Sequence, residues 1–253
     1  MKRILLPALL LVAMIGSWEL YVDLGGVDPL LLAAPHQIVQ TIFSEHELLW
    51  TNFLVTLQEV VFGIGVAAVA GLVLAVLFHL STPVRQAAYP LVVASQTIPI
   101  LLLAPLLMLW LGFGILPKVI VIALVSFFSV VVATLDALGS VDPQLRKLMR
   151  TFDASRWRML RELELPAALP GVFTGMRIAV AVAVIGAVLG ETYGGSNAGL
   201  GYLFLISFNQ SLTSRAYATV VILSLFAVLL FTLLTLGERL ALPWTRQLRE
   251  EHL

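Results

Sequence analysis

Three uncharged polar residues, Ser95, Gln96 and Thr97, interrupt an otherwise apolar stretch, and Pro99 and Pro105 follow them. A proline has no backbone N–H, so each one leaves a helical carbonyl without its usual donor. In a bilayer, such gaps are tolerated only where protein or water satisfies the freed groups. The pattern predicts the lining of a polar passage or, with equal weight, side chains that join neighbouring helices by hydrogen bonds.

Carboxylates stand near the ends of apolar runs, at Glu59, Asp136 and Glu191. An ionisable group at membrane depth is a functional candidate by default. We interpret Glu59 and Asp136 as interfacial, and the alternative for Glu191 is also an interfacial position in water. The residues that we assign to a translocation pathway are Ser95, Gln96, Thr97, Ser129 and Glu191.

The sequence gives little support for disulfides, metal binding or catalysis. The absence of cysteine excludes disulfides and thiolate metal sites, and the histidines have no metal-ligand spacing, so we predict no metal site. These histidines are His36, His46, His79 and His252. His79 alone lies in an apolar run, and no GxSG string accompanies it as an intramembrane serine protease would require. We therefore assign no catalytic residue.

The composition places the chain in a membrane. Of its 253 residues, 60% are hydrophobic and 12% are charged, whereas soluble domains are about 25% charged. The formal net charge is zero, which argues against nucleic-acid binding. Apolar runs of about 20 residues are long enough for helices that cross a bilayer. The sequence predicts an all-α membrane protein with six transmembrane helices, over 4–22, 53–80, 87–111, 115–138, 169–190 and 216–237.

Lysine and arginine favour the cytoplasmic side of a membrane. Their distribution, from Lys2 and Arg3 to Arg246 and Arg249, predicts that both termini are cytoplasmic, with Lys118 and Arg215 outside. The basic N-terminus resembles a signal peptide, but no small-residue cleavage site follows directly, so we interpret it as a retained anchor. We divide the chain into residues 1–52, the first helix with an extracytoplasmic segment, and a core of residues 53–253.

The cytoplasmic loop at about residues 139–168 has the pattern of two short helices. Asp142 before Pro143 is a favourable start for the first helix, and Asp153 or Ser155 is a suitable cap for the second. The second helix mixes apolar positions with arginines, a surface suited to a protein partner. We expect it to end at the prolines that follow, Pro166 and Pro170.

This loop resembles the signature loop of binding-protein-dependent ABC importer permeases, E-A-A, three residues, G, nine residues, I, one residue, L-P. Leu165-Pro166 and Leu163 match its end, whereas Asp153 replaces the glycine and Lys147 replaces the glutamate. In that family the loop docks in a groove of the ATPase subunit. The resemblance implies that contact with the ATPase falls on Lys147, Asp153, Ala154, Ser155, Arg156, Trp157, Leu163, Leu165 and Pro166.

Similarity to the family extends over most of the chain, through LLAAPHQIVQTIF, NFLVTLQEVVFGIGVAAVAG, SQTIPILLLAPLLMLWLGFGILPKVIVIALVSFF and GETYGGSNAGLGYLF. It implies the type I ABC importer permease fold in the cell inner membrane, and a second permease copy. The other implied partners are a cytoplasmic ATPase dimer and an extracytoplasmic substrate-binding protein. No cofactor is expected on this chain, because it lacks GxxxxGK[ST] and ATP and Mg²⁺ would belong to the ATPase.

The family's nitrate, sulfonate and taurine branch is similar to this chain, and SQTIPI, TLQE and VDPQL resemble permeases for thiamine-precursor pyrimidines or riboflavin. A neutral ring suits the uncharged region at Ser95, Gln96 and Thr97, which favours a pyrimidine or flavin. Arg177, in the fifth predicted helix, could bind an anion, so an anionic substrate remains an alternative. An ion-driven secondary transporter is a remote alternative.

Overall fold

The computed structural model describes residues 2–28, 30–194 and 197–243, without the side chains of residues 2–4 and 8. All regular structure in these ranges is helical. The helices are α1 (Lys2–Gly25), α2 (Pro35–Ser44), α3 (His46–Leu80), α4 (Thr82–Ser95), α5 (Ile100–Leu111), α6 (Ile115–Gly139), α7 (Pro143–Thr151), α8 (Arg156–Met159), α9 (Leu165–Tyr193), α10 (Leu200–Asn209) and α11 (Thr213–Ala241). Arg246, Arg249 and His252, used above, lie outside the described residues.

Five continuous helical segments in the described ranges are long and apolar enough to cross a membrane, and a bent pair makes up to six. The all-helical fold with six candidate spans is thus confirmed, while the orientation of the termini and the division at residue 52 stay predictions. The five continuous segments are Leu5–Gly25, His46–Leu80, Ile115–Gly139, Arg156–Tyr193 and Thr213–Ala241.

The third predicted span is not one straight helix. Helices α4 and α5 meet at a bend of 98° across residues 96–99. Pro99 disfavours helical geometry at Ile98, and the hydroxyls of Ser95 and Thr97 donate to the carbonyls of Val92 and Ala94 at the end of α4. Both hydroxyls bind back to the last turn of α4, where the carbonyl of Ala94 also accepts from the backbone N–H of Thr97.

The chain forms two compact units. In the unit of Met1–Leu57 and Ser196–Leu225, a buried apolar cluster joins α2, α3, α10 and α11 through Ala33, Ile38, Leu49, Leu203 and Ala218. The carboxamide oxygen of Asn52 accepts from the backbone N–H of Gly199 at 2.8 Å, and the hydroxyl of Thr56 accepts from that of Leu200 at 2.9 Å. These two side chains satisfy the open N–H groups at the start of α10.

In the unit of Gln58–Gly195 and Phe226–Leu253, α6 and α9 pack backbone against backbone. A Cβ on Gly175 would lie 2.8 Å from the Cβ of Ala133 and 2.9 Å from the carbonyl oxygen of Ser129. A Cβ on Gly186 would lie 2.7 Å from Val125. The glycines along α9 therefore serve close helix packing.

Candidate functional site

The loop at about residues 139–168, which we call the coupling loop after the signature that it resembles, begins with the predicted first helix. The Asp142 carboxylate accepts a hydrogen bond from the backbone N–H of Gln144 at 2.7 Å, and Pro143 occupies the first turn of α7. Of the two candidates for the second cap, the structure uses Ser155, whose hydroxyl accepts from the backbone N–H of Arg158 at 3.2 Å. Local sequence signals thus place both helices of the loop.

The turn between α7 and α8 explains how aspartate fits the glycine position of the signature. Asp153 has a φ of 51°, in the left-handed region that glycine adopts most easily and aspartate tolerates. Beyond it, the backbone N–H of Ala154 donates to the carbonyl of Met149, the bond that closes a helix over a left-handed residue. The bend of the signature loop is therefore kept without glycine.

The prediction that Pro166 and Pro170 end the second helix is wrong. Helix continues from α8 through a π-helical turn at Leu160–Glu164 into α9. A proline normally clashes with the carbonyl four residues earlier. The wider π turn bonds Leu165 to Leu160 instead and makes room for Pro166. The coupling loop is therefore joined to the transmembrane helix α9 without a break.

The outer side of the coupling loop is apolar and exposed. Leu145, Leu148 and Phe152 recur at helical spacing along α7, and Trp157 on α8 is 62% exposed. Lys147 and Arg156 are also exposed, and Ala154, Leu163, Leu165 and Pro166 are partly buried. An exposed apolar patch next to cations is typical of a protein docking surface.

The inner side of the loop is held by charges that the sequence did not reveal as partners. The carboxylate of Glu164 pairs with the Nε2 atom of His79 at 2.8 Å and with Nε of Arg146 at 2.9 Å. The guanidinium of Arg156 donates to the carbonyl oxygen of Leu80 at 3.0 Å. These contacts attach the loop to the end of α3, and they give His79 a carboxylate partner.

An apolar cluster lies under the same attachment. Leu138 of α6, Leu160 of the π turn and Ala168 of α9 are buried together, and Leu80 and Leu165 pack against them. A fully buried leucine contributes about 1.5–3 kcal/mol to stability in a globular protein. The coupling loop therefore packs against a buried apolar cluster formed by α3, α6 and α9.

A cluster of buried ionisable groups lies toward the opposite ends of α6 and α9, together with Glu59 from the middle of α3. The ammonium of Lys118 donates to Oε1 of Glu59 at 2.6 Å, and the Glu191 carboxyl group is close enough to hydrogen-bond with Glu59. Glu59, Lys118 and Glu191 are 2%, 6% and 0% exposed. Glu59 and Lys118 are therefore buried within the protein, whereas the interfacial position predicted for Glu59 and the extracytoplasmic side predicted for Lys118 stay predictions. Pairing across helices, which sequence spacing cannot show, offsets the cost of burying Lys118 and Glu59.

The remaining residues assigned to a pathway lie at separate places. Ser95 is half-buried, and Gln96 and Thr97 are exposed at the bend between α4 and α5. Ser129 is half-buried on α6, about 16 Å along the helix from Lys118. Their assignment to a pathway stays a prediction. Asp136 is exposed, as an interfacial residue would be.

Two further pairs involve charges noted in the sequence. Arg177 on α9 binds Glu238 on α11 at 3.1 Å, so this cation is neutralised. In the other unit, potential ligand atoms of Glu19, Asp23 and His36 lie within 4.8 Å of one another. Glu19 there already accepts a hydrogen bond from the backbone N–H of His36 and pairs with its ring. This partly exposed group fastens the start of α2 to α1.

Comparison with known proteins places the chain in a family. Residues 67–247 match the family described as "Binding-protein-dependent transport system inner membrane component". The chain is 38% identical over 242 residues to the formylaminopyrimidine transport permease protein ThiX of Halalkalibacterium halodurans, covering 95% of this chain and 96% of that relative. It is 33% identical to the riboflavin transport system permease protein RibX of Chloroflexus aurantiacus, covering 94% and 89%.

Among solved structures, the chain is similar to one described as inward-facing conformations of the MetNI methionine ABC transporter. The TM-score is 0.69 at 18% identity, over 78% of this chain and 97% of that chain. At this identity the similarity concerns the fold, which is that of type I ABC importer permeases. The chain belongs to the binding-protein-dependent transport system inner membrane components and is the multi-pass inner-membrane permease of an ABC importer.

Proposed function

We propose that this permease imports a small, uncharged heteroaromatic vitamin precursor, a thiamine-type pyrimidine of the hydroxymethylpyrimidine kind. The observation that carries the proposal is the pairing of Arg177 with Glu238. A sulfonate or nitrate would need a free cation. The pair neutralises Arg177, the cation on which the alternative of an anionic substrate depended. The name of the relative ThiX supports the pyrimidine, and that of RibX supports riboflavin as the alternative cargo.

The transporter that we propose contains two copies of this chain, because one chain with six spans resembles half of a conduit. A cytoplasmic ATPase dimer binds ATP and Mg²⁺, and a substrate-binding protein delivers the cargo outside. Each switch between inward-open and outward-open states needs a ligand that binds the two states differently. ATP supplies that difference inside, and the loaded binding protein supplies it outside.

The coupling loop transmits the movement in this scheme. Trp157 and the apolar side of α7 face the ATPase, and the unbroken helix from α8 to α9 carries displacement into the membrane. Lys147 replaces a glutamate of the signature, so we expect an acidic side chain opposite it in the ATPase groove. The contacts of Glu164 and Arg156 with the end of α3 make this helix move with the loop.

Reconstitution tests the cargo. The permease, its ATPase and its binding protein are placed in proteoliposomes, and ATP-dependent uptake of labelled hydroxymethylpyrimidine is measured with riboflavin, taurine or nitrate as competitors. We expect competition by none of these three compounds and only by unlabelled hydroxymethylpyrimidine. The double variant Arg177→Gln/Glu238→Gln keeps the site neutral and should preserve uptake. Uptake of taurine only, and its loss in the double variant, would refute the neutral cargo.

A second experiment tests coupling. Trp157→Ala should lower both uptake and substrate-stimulated ATP hydrolysis more than tenfold, because buried aromatic anchors at interfaces contribute about 2 kcal/mol or more. Arg161→Ala on the same stretch is the matched control. Melting curves of the purified variants exclude misfolding. Uptake by Trp157→Ala at the rate of the control would contradict the placement of the ATPase contact.

A further inference from the structure

A basic pocket opens between the coupling loop and the end of α3. It has a volume of about 270 Å³ and is lined by His79, Leu80, Arg146, Arg150, Ala154, Arg156, Met159 and Glu164. Three arginines and one glutamate leave a formal charge of +2 with a neutral histidine. Pockets for drug-sized ligands begin at about 300 Å³, so this one suits a small anionic group.

Residues that line the pocket neutralise only part of its positive charge. Arg146 and His79 share the carboxylate of Glu164, and Arg156 donates to a backbone carbonyl, which is neutral. Arg150 forms no ion pair with any residue in the part of the chain that the structure describes. The pocket therefore holds a surplus of guanidinium groups that can donate to phosphate oxygens.

The pocket and the docking surface lie on different sides of α7. At about 100° per residue, Arg146 and Arg150 project almost opposite to the apolar side formed by Leu145 and Leu148. The pocket is also lined by His79 and Leu80, the last two residues of the membrane-crossing helix α3. It thus lies at the membrane boundary, on the side of α7 away from the exposed apolar residues, and it shares Ala154 and Arg156 with the predicted ATPase contact.

We propose that this pocket binds the phosphate of an anionic phospholipid, with Arg150 as the principal ligand and Arg156 beside it. The lipid would stay in the bilayer while its head group enters between α7 and α3. Basic pockets at the cytoplasmic ends of transmembrane helices take anionic head groups in this way. The lipid would join the coupling loop to the bilayer, in addition to its contacts with the protein.

The test uses the full-length permease in nanodiscs of phosphatidylcholine with a minor fraction of phosphatidylglycerol. Native mass spectrometry of the released protein counts the retained lipids. We expect enrichment of phosphatidylglycerol, and about a fivefold loss of this preference in Arg150→Gln, the factor expected for one basic group at a membrane surface. Arg150→Lys should retain part of it, because the charge remains without the planar guanidinium.

The matched control is Arg161→Gln, which removes the same charge from an exposed position that does not line the pocket. It should retain phosphatidylglycerol like the unchanged protein. Equal loss in both variants would mean general attraction to the surface and would overturn the site. Displacement of the lipid by millimolar inorganic phosphate would indicate a site for free phosphate. Displacement by the ATPase subunit, with weaker ATPase binding to Arg150→Gln, would identify a protein contact, and either result would overturn the lipid.

Discussion

The substitution Lys118→Met removes the cation that pairs with Glu59 in the buried cluster of Glu59, Lys118 and Glu191. Two unit charges 2.6 Å apart attract by about 6 kcal/mol at an effective dielectric constant of about 20. The cost of burying the lysine offsets part of this attraction. The variant also leaves the Glu59 carboxylate, 2% exposed, without its counter-ion. Breaking a buried pair from one side typically costs about 3–5 kcal/mol, and we expect a loss of that size.

The assay is reversible unfolding in mixed micelles with increasing SDS, followed by tryptophan fluorescence. Lys147→Met is the matched control, because Lys147 is exposed on α7 and its substitution should change the free energy of unfolding by less than about 0.5 kcal/mol. The double variant Lys118→Met/Glu59→Gln should be more stable than the sum of the single losses predicts, because it removes both charges.

Two results would refute this reasoning. If Lys118→Met unfolds within about 0.5 kcal/mol of Lys147→Met, the pair with Glu59 contributes nothing net to stability. If the double variant loses the sum of the two single effects, Lys118 and Glu59 act independently. A loss in Lys118→Met that the double variant partly reverses would support the buried cluster.

Three other substitutions test the packing, the cap and the turn by the same unfolding assay. Gly175→Ala should cost about 1–3 kcal/mol because its Cβ would lie 2.8 Å from Ala133, whereas Gly65→Ala enters open space and should be neutral or stabilising. Asn52→Leu should cost about 1–3 kcal/mol because it deprives Gly199 of its acceptor, and Asn52→Asp, which keeps an acceptor, should lose less. Asp153→Val should destabilise by about 1–2 kcal/mol, and Asp153→Gly should not, because only glycine adopts a φ of 51° freely. Equal effects within any of these pairs would contradict the corresponding contact.

Features encoded by neighbouring residues could be predicted from the sequence. The apolar runs, the Asp142 cap and the Ser155 cap depend on residues only a few positions apart, and the structure contains all of them. The prolines and hydroxyls near residues 96–99 predicted a break in the helix, but they did not predict the angle of the bend. Proline predicts a break, whereas the angle depends on packing of α5 against α6 through Ala104, Leu107 and Val121.

Features that depend on distant residues could not be predicted in this way. Glu59 and Lys118 are far apart in sequence, and each alone resembles an interfacial charge. Only the packing of α3, α6 and α9 brings them together. Similarly, Pro166 taken alone predicts the end of a helix. The π turn before it makes room for the proline, and the helix continues. A buried carboxylate in a membrane helix therefore calls for a search for a cation on another helix before it is placed in water.

The two sets of charged contacts lie at opposite ends of α6 and α9, and on α3 they lie at its last turn and near its middle. Helix α3 carries His79 at the coupling loop and Glu59 in the buried cluster, and α9 leads from the Glu164 turn to Glu191. Helix α6 leads from Leu138, in the apolar cluster next to the coupling loop, to Lys118, about 30 Å away. Helices fixed to one another at two well-separated levels resist sliding and bending. We therefore expect movement of the coupling loop to displace α3, α6 and α9 together as one rigid body, with the conformational change absorbed at more weakly held segments such as the bend between α4 and α5.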